Sequence, residues 1–228
     1  MNKKSVVVGY GEVGKALTAV LDDVYLVDIC DPVIGEVSPL SLNLKYLPVE
    51  VLHICFPYSD SFVQDVKKYQ EDFKPKHTVI HSTVPLGTSR QVNATHSPVR
   101  GLHPNLEGGI RCFVKFLGGE EASQVADYFR RAGIKVCLFD KQETTEALKL
   151  FDTTYYGVCI DFAKRVKEYC DKHDLNFSEV YTIPNQTYNE GYSQLGYPEF
   201  TRPVLQPIMK PTGGHCVEPN KELLNKSE

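Results

Sequence analysis

The first 140 residues alternate short apolar runs with stretches in which apolar residues recur every three or four positions. The runs SVVVGY, VYLVDI, VEVLHICF, HTVIHST, CFVKFLGG and IKVCLFD predict strands. The stretches GEVGKALTAVL, SDSFVQDVKKYQEDF and EEASQVADYFRRAG predict helices between them. Because strands that alternate with helices of this length are typical of a parallel sheet covered on both faces, we predict a doubly wound α/β fold with a mostly parallel sheet.

From Glu143 the pattern changes to a long stretch without proline, which predicts one amphipathic helix far longer than average. Its apolar stripe consists of Leu148, Phe151, Tyr155, Val158, Phe162, Val166 and Tyr169. The chain therefore divides into a sheet domain over residues 1–140 and a second region over 141–228, in which a small helical and loop segment follows the long helix. A stripe of this length predicts packing on another surface, and we expect a homodimer formed through this helix.

Composition narrows the classes of partner. The 228 residues carry a formal net charge of −4, so there is no basic footprint for nucleic acid. No apolar run approaches the roughly 18 residues that a membrane span needs. The seven cysteines are odd in number and form no C-x-x-C pair, which argues against a disulfide framework and favours a cytoplasmic protein. His77 and His81 lie about 13 Å apart on a predicted strand, so we expect no metal site there.

The segment VVVGYGEVGKAL places a G-x-G-x-x-G motif between a predicted strand and a predicted helix. The glycines permit a tight turn and close approach of a pyrophosphate, whose charge the helix N-terminus stabilises. Asp28, nineteen residues after Gly9, is expected to end the second strand and to accept hydrogen bonds from ribose hydroxyls, which favours NAD over NADP. Residues 1–140 are thus predicted to be a Rossmann-type NAD-binding domain. The loop residues expected to bind NAD are Gly9, Tyr10, Gly11, Glu12, Val13 and Gly14.

Two later strand ends should border the same crevice, since ligands of such sheets lie beyond the carboxyl ends of the strands. In HICFPYSD, Phe56 and Pro57 are expected to pack on the nicotinamide ribose side. In IHSTVPLGT, Ser82 and Thr83 offer hydroxyl groups next to a turn. Each of these segments taken alone is equally compatible with an ordinary loop.

Five motifs in order, GYGEVG, FP, HSTVPLGT, TEALKLFDTTYYG and GGHC, resemble those of the nucleotide-sugar dehydrogenases typified by UDP-glucose 6-dehydrogenase. The first three recur widely among NAD enzymes, whereas the serine-threonine-valine-proline turn together with the GGHC loop is much more specific. The resemblance covers most of this chain but only the first half of a usual family member. The family's second Rossmann-like domain helps to hold the nucleotide portion of the substrate, and we expect no counterpart of it within these 228 residues.

The resemblance implies a thiol enzyme that oxidises an alcohol to an aldehyde, traps it as a thiohemiacetal, oxidises that to a thioester and hydrolyses it. Cys216 matches the nucleophile, and Lys149 matches the lysine that stabilises negative charge on the substrate oxygen. Thr83 matches a threonine that positions a water molecule. Glu107, in HPNLEGG, matches the family's glutamate in the corresponding loop, although the surrounding residues differ.

Two positions depart from the family pattern. Thr153 stands where the family has an asparagine, and Asn220 stands where it has an aspartate four residues after the cysteine. Because an asparagine side chain cannot act as a base, the water-activating step loses its usual helper. Three alternatives follow: the enzyme stops after one oxidation, it hydrolyses the thioester in another way, or it has lost the thiol chemistry.

The leading hypothesis is therefore an NAD-dependent dehydrogenase that acts on an alcohol of a small polar, sugar-like or phosphorylated substrate. A second hypothesis is a dehydrogenase of the 3-hydroxyacid or prephenate type without a covalent adduct, because GLHPNLEGG also resembles the histidine-proline loop of prephenate dehydrogenase-like enzymes. Such an enzyme would use Lys149 and His103, whose reference pKa is near neutral. A third hypothesis is a non-catalytic NAD-binding sensor protein.

Overall fold

The computed structural model describes residues 4–31, 35–37, 47–101, 104–207 and 217–227. The chain divides into two compact units, of which the first comprises residues 1–149 with 226–228 and the second comprises residues 150–225. None of the described helices is long and apolar enough to cross a lipid bilayer.

The first unit is built on a single sheet, which has eight strands among the described residues. In chain order they are β1 (Lys4–Val8), β2 (Leu26–Asp31), β3 (Gly35–Val37), β4 (Val49–Ile54), β5 (His77–Ile80), β6 (Thr95–His96), β7 (Lys115–Gly118) and β8 (Val136–Phe139). The spatial order is β3-β2-β1-β4-β5-β6-β7-β8. Strands β2, β1, β4, β5 and β6 run parallel. Strand β3 is antiparallel to β2, β7 is antiparallel to β6, and β8 is parallel to β7. The predicted doubly wound, mostly parallel Rossmann-type sheet is confirmed.

Helices cover both faces of this sheet. They are α1 (Glu12–Leu21), α2 (Phe62–Phe73), α3 (Leu106–Cys112), α4 (Ala122–Arg131) and the first turns of α5 (Gln142–Lys172). One core cluster joins Val7 to apolar residues of α1, α3 and α4 such as Leu17 and Phe129. A second cluster joins Val8 to residues of α2 such as Phe62. Burial on both faces explains why the central strands β1 and β4 are almost continuous apolar runs.

The second unit is helical. It contains the remainder of α5, a π-helical segment over Ser178–Thr182 that continues into α6 (Ile183–Gln194), and α7 (Val217–Asn225). Helix α5 has 31 residues, which confirms the predicted long helix. Lys221 of α7 forms an ion pair of 3.7 Å with Asp161 of α5.

Most residues of the apolar stripe of α5 are exposed to solvent in the single chain. Within this unit the helix buries Leu150, Ala163 and Cys170. The aromatic and aliphatic residues of the predicted stripe are instead more than half exposed: Phe151, Tyr155, Val158, Phe162 and Tyr169. The described chain therefore does not cover the surface that the sequence marks as apolar.

Candidate functional site

Three glycines shape the loop between β1 and α1, each with a different constraint. Gly9 has a φ of +91°, and a Cβ atom on it would lie 2.8 Å from the Phe56 backbone nitrogen. A Cβ atom on Gly14 would lie 1.9 Å from the Gly9 carbonyl oxygen. A Cβ atom on Gly11 would meet no atom within 4 Å. Gly9 and Gly14 are therefore required by the fold, whereas Gly11 borders open space.

The open space lies in front of the N-terminus of α1. Gly11 is the N-cap residue and has no side chain to accept a hydrogen bond from the first turn. The first N–H groups of a helix have no partner within the helix, and the helix dipole adds positive potential there. An anion such as a pyrophosphate is the ligand that this arrangement stabilises.

The prediction that Asp28 ends the second strand is wrong. Strand β2 continues to Asp31, because Cys30 and Asp31 pair with β3. The Asp28 carboxylate forms an ion pair of 2.6 Å with the buried Lys4 amine, at the beginning of β1. Asp31 instead lies beside the glycine loop, where its Oδ2 accepts a hydrogen bond of 2.7 Å from the Tyr10 N–H. Asp31 is therefore the carboxylate positioned to meet a ribose at this loop.

The side chains that follow β4 and β5 differ in their exposure and in the hydrogen bonds that they form. The half-buried Phe56 ring packs against α2, with its centroid 5.0 Å from that of Phe62, and its predicted contact with the cofactor stays a prediction. Pro57 is exposed. The Ser82 hydroxyl donates to the Phe56 carbonyl at 2.6 Å, which joins the ends of β4 and β5. Thr83 is half-buried, and its hydroxyl bonds to none of the residues that the structure describes.

The first turns of α5 are anchored to the loops that follow β5 and β6. The buried Glu146 carboxylate accepts hydrogen bonds from the N–H groups of Gly87 at 2.6 Å and Ser89 at 2.8 Å. Burial raises the pKa of Glu146, and the N–H bonds oppose that rise.

A second anchor of α5 is the Thr145 hydroxyl, which lies 2.9 Å from Nδ1 of His96. Nε2 of the same histidine donates to the Ser82 carbonyl at 3.1 Å. The HSTVPLGT and TEALKLF motifs are thereby brought together.

Lys149 belongs to the same anchored face of α5. Its amine donates a hydrogen bond of 3.0 Å to the Val99 carbonyl, in the segment after β6. The amine thus lies on the carboxyl-end side of the sheet, which is the side on which the predicted role requires it. Residues at the end of the chain also contact this side, since Ser227 Oγ accepts a hydrogen bond of 3.0 Å from the Leu86 N–H and Lys226 lies over the Tyr58 ring at 5.8 Å.

Glu107 is not assembled with this group. Glu107 is exposed in the first turn of α3 and forms an ion pair with Arg111, which also binds Asp23 beyond the C-terminal end of α1. That network lies away from the glycine loop, so the structure does not support a role for Glu107 there. Thr153 and the buried Asn220 lie on α5 and α7 of the second unit.

Cys216 and His103 lie outside the described residues. The chain is described again from Val217, where α7 begins. The catalytic role of Cys216 stays a prediction.

The structure contains a buried polar network that was not predicted from the sequence. His53, His81, His96, Lys115 and Tyr128 are all nearly inaccessible to solvent. A signal was present, because single polar residues interrupt the apolar runs VEVLHICF and CFVKFLGG, and both strands were predicted to be covered on two faces. Within the described part of the chain, no group of three or more potential ligands is arranged to hold a metal ion.

No protein-family model matches the chain, and no curated protein matches its sequence. Solved structures do match. UDP-D-ManNAc dehydrogenase from Pyrococcus horikoshii superposes with a TM-score of 0.77 at 17% identity, over 98% of this chain and 64% of that one. NDP-N-acetyl-D-galactosaminuronic acid dehydrogenase from Methanosarcina mazei Go1 gives a TM-score of 0.68 at 18% identity, over 99% and 60%. 3-Hydroxyisobutyrate dehydrogenase from Mycobacterium tuberculosis gives 0.60 at 15% identity, over 80% and 70%.

These likenesses confirm, at the level of the fold, the resemblance to nucleotide-sugar dehydrogenases. The chain spans less than two thirds of the length of the two sugar dehydrogenases, at 64% and 60%. Identities below one fifth do not carry substrate or activity with them.

Proposed function

We propose that the protein is an NAD-dependent dehydrogenase that oxidises an alcohol of a small polar, sugar-like or phosphorylated substrate. The observation that carries this proposal is the loop from Gly9 to Gly14, in which two glycines are demanded by packing and Gly11 alone faces open space at a helix N-terminus. The similar folds of sugar dehydrogenases support it.

The residues around the loop have distinct roles in this proposal. Backbone N–H groups of the first turn of α1 bind the pyrophosphate, and the Asp31 carboxylate accepts hydrogen bonds from the adenosine ribose. The Lys149 amine is proposed to donate to the substrate oxygen as negative charge develops on it. NAD, when bound, supplies the hydride acceptor. Thr83 is proposed to position a water molecule with its hydroxyl.

The proposal is tested by NADH absorbance with a panel of sugar alcohols, nucleotide sugars and hydroxyacids. Turnover with at least one alcohol is expected. NAD binding without turnover of any member would favour a non-catalytic sensor instead.

Replacing Asp31 by asparagine is expected to weaken NAD binding about tenfold and to narrow the preference for NAD over NADP, because the change removes the charge that repels a 2′-phosphate. Calorimetric titration of both dinucleotides measures the ratio. Asp28→Asn is the matched control, since it removes the same charge from the same strand. It should lower stability by leaving the buried Lys4 amine without this partner and should leave the cofactor ratio unchanged. The reverse pattern would return the ribose role to Asp28.

The thiol step is proposed to proceed by attack of the Cys216 sulfur on the aldehyde carbon, which gives a thiohemiacetal. We expect Cys216→Ser to abolish formation of the acid while leaving NAD affinity unchanged, because serine is a far weaker nucleophile at neutral pH. Cys112→Ser, at an exposed position of α3, is the control. Mass spectrometry of products settles the matter: full acid production by Cys216→Ser would overturn the covalent route.

That last outcome would favour the 3-hydroxyacid type of dehydrogenase, without an adduct. The fold of the M. tuberculosis 3-hydroxyisobutyrate dehydrogenase, at a TM-score of 0.60, supports this second candidate. In both candidates Lys149 acts at the substrate oxygen.

A homodimer through α5 is the assembly that we propose, because the exposed stripe of that helix is continuous and aromatic. The double variant Tyr155→Glu, Phe162→Glu places two charges on residues that are 63% and 59% exposed in the single chain. It is expected to be a monomer by light scattering where the wild type is a dimer, since a buried unpaired charge is strongly unfavourable. Tyr197→Glu, at an exposed tyrosine outside α5, is the control. A monomeric wild type, or a dimeric double variant, would contradict this assembly.

A further inference from the structure

Five buried polar side chains form a continuous hydrogen-bonded line beneath α4, on one face of the sheet. Ser5 Oγ lies 2.6 Å from Tyr128 Oη, and Tyr128 Oη lies 3.1 Å from His53 Nε2. His53 Nδ1 lies 3.0 Å from His81 Nε2. The line ends at His81 Nδ1, which is 2.9 Å from the Ser97 carbonyl oxygen and 3.2 Å from Lys115 Nζ.

The chemistry of this end point allows two arrangements. A carbonyl oxygen only accepts hydrogen bonds, whereas a charged lysine amine only donates them. His81 Nδ1 therefore cannot satisfy both neighbours while Lys115 is charged. If the nitrogen carries a proton it donates to Ser97, and if it carries none it accepts from Lys115.

With a neutral Lys115, every donor in the line points toward Ser97. The Ser5 hydroxyl donates to Tyr128, Tyr128 donates to His53 Nε2, His53 Nδ1–H donates to His81 Nε2, and His81 Nδ1–H donates to the Ser97 carbonyl. Each group is neutral and has a partner.

With a charged Lys115, every donor in the line is reversed. The ammonium donates to His81 Nδ1, and its second contact, 3.3 Å away, is the Ser97 carbonyl. His81 Nε2–H then donates to His53 Nδ1, His53 Nε2–H donates to Tyr128, and Tyr128 donates to Ser5. The two arrangements differ by one proton, which solvent supplies to the lysine nitrogen, while both histidines stay neutral and exchange tautomers.

We propose that Lys115 is the control point of a two-state switch, in which gain or loss of one proton reverses the hydrogen-bond direction from Lys115 to Ser5. The switch goes beyond the proposed dehydrogenase function and does not depend on it. The switch changes the hydrogen bonding of the Ser97 carbonyl, because His81 donates to this carbonyl in only one of the two states. Two residues after Ser97, the Val99 carbonyl accepts a hydrogen bond from the Lys149 amine.

The groups around Lys115 fit a proton equilibrium near neutrality. Those that face it are His53 and Cys55 from the β4 side, His81, His96 and the Phe129 ring, 5.3 Å away. Among the described residues no carboxylate pairs with the amine, and burial lowers the pKa of Lys115 to about 7. Burial also lowers the pKa of His53 to about 3, so this ring stays neutral while the lysine titrates.

The test is the tautomeric state of the histidines, read from long-range ¹⁵N–¹H correlations of protein labelled in histidine. We expect His81 and His53 to carry their protons on Nε2 at about pH 5.5 and on Nδ1 at about pH 9. One shared transition near the pKa of Lys115, about 7, should link them. Unchanged tautomers across this range would overturn the switch.

Lys115→Met keeps the length of the side chain but cannot be charged. In this variant both histidines should carry their protons on Nδ1 at every pH in the range, and a switch that persists would overturn the role of Lys115. Lys68→Met, on the exposed face of α2, is the matched control and should behave as the wild type. The Cε signals of wild-type lysines give a second measurement that needs no variant. One of them should titrate near neutrality, and titration of all of them above about pH 9 would equally overturn the proposal.

Discussion

Gly11→Ala should reduce NAD affinity by about 100-fold or more while the protein stays folded. A methyl group at this position would enter the open space in front of α1, where the pyrophosphate is expected to lie. Its cost to folding is small because no atom lies within 4 Å and the backbone, with φ −74°, is allowed for alanine. Loss of the glycine N-cap costs at most about 1 kcal/mol. Calorimetric titration of NAD, with thermal unfolding of the same sample, measures both quantities.

Two variants define what the Gly11 result means. Gly14→Ala would place a methyl group 1.9 Å from the Gly9 carbonyl, so it should destabilise the first unit by about 3 kcal/mol or more. Gly191→Ala, on α6, also meets no atom within 4 Å and should change neither NAD affinity nor fold. If Gly11→Ala bound NAD as tightly as Gly191→Ala does, the loop would not be the pyrophosphate site.

The first unit is expected to lose stability steeply in acid. Burial lowers the pKa of His53 and of His96 to about 3 and lowers that of His81 well below its usual value. Below about pH 6.5 the unfolded chain therefore binds protons that the folded chain excludes, and stability falls as the pH falls. Each such histidine contributes about 1.4 kcal/mol per pH unit, so the three together contribute about 4 kcal/mol per unit until the folded values are reached.

Lys115 adds a second window with the same sign. Burial lowers its pKa from 10.5 to about 7, so the unfolded chain binds one more proton between these values. Stability should therefore rise by about 1.4 kcal/mol per pH unit from about pH 7 to about pH 10. Urea titrations across the acid and alkaline ranges measure both slopes.

Single-histidine variants assign the acid slope. His53→Gln should reduce the slope by about one proton, whereas His173→Gln, at an exposed position just after α5, is the control and should leave the slope unchanged. A stability that is flat between about pH 6 and about pH 4 would contradict burial of the neutral histidines.

The parts of the fold that follow strong periodicity were predictable. The glycine loop between β1 and α1 was predicted because its G-x-G-x-x-G spacing, between an apolar run and a helical pattern, is visible within twelve consecutive residues. Helix α5 was predicted because its apolar pattern persists over 31 residues. The short elements were missed. Strand β6 has two residues and β3 has three, too few for a pattern, and α3 contains two glycines and depends on Asn105 as its cap.

The parts of the site that depend on pairing across the sheet were not predictable. Asp28 and Asp31 are three residues apart, and only the pairing of β2 with β3 decides which one ends the strand. The line from Ser5 to Lys115 joins residues up to 123 positions apart, so its members are visible in the sequence only as isolated polar residues. The role of Lys149 at the substrate oxygen was predicted through the family resemblance and stays a prediction. The structure adds the hydrogen bond from its amine to the Val99 carbonyl.

A crystal structure of the protein with NAD tests the central claim most directly. The account predicts pyrophosphate oxygens within hydrogen-bond distance of the N–H groups that follow Gly11, and adenosine ribose hydroxyls on the Asp31 carboxylate. A dinucleotide bound elsewhere, or a ribose on a different carboxylate, would contradict it.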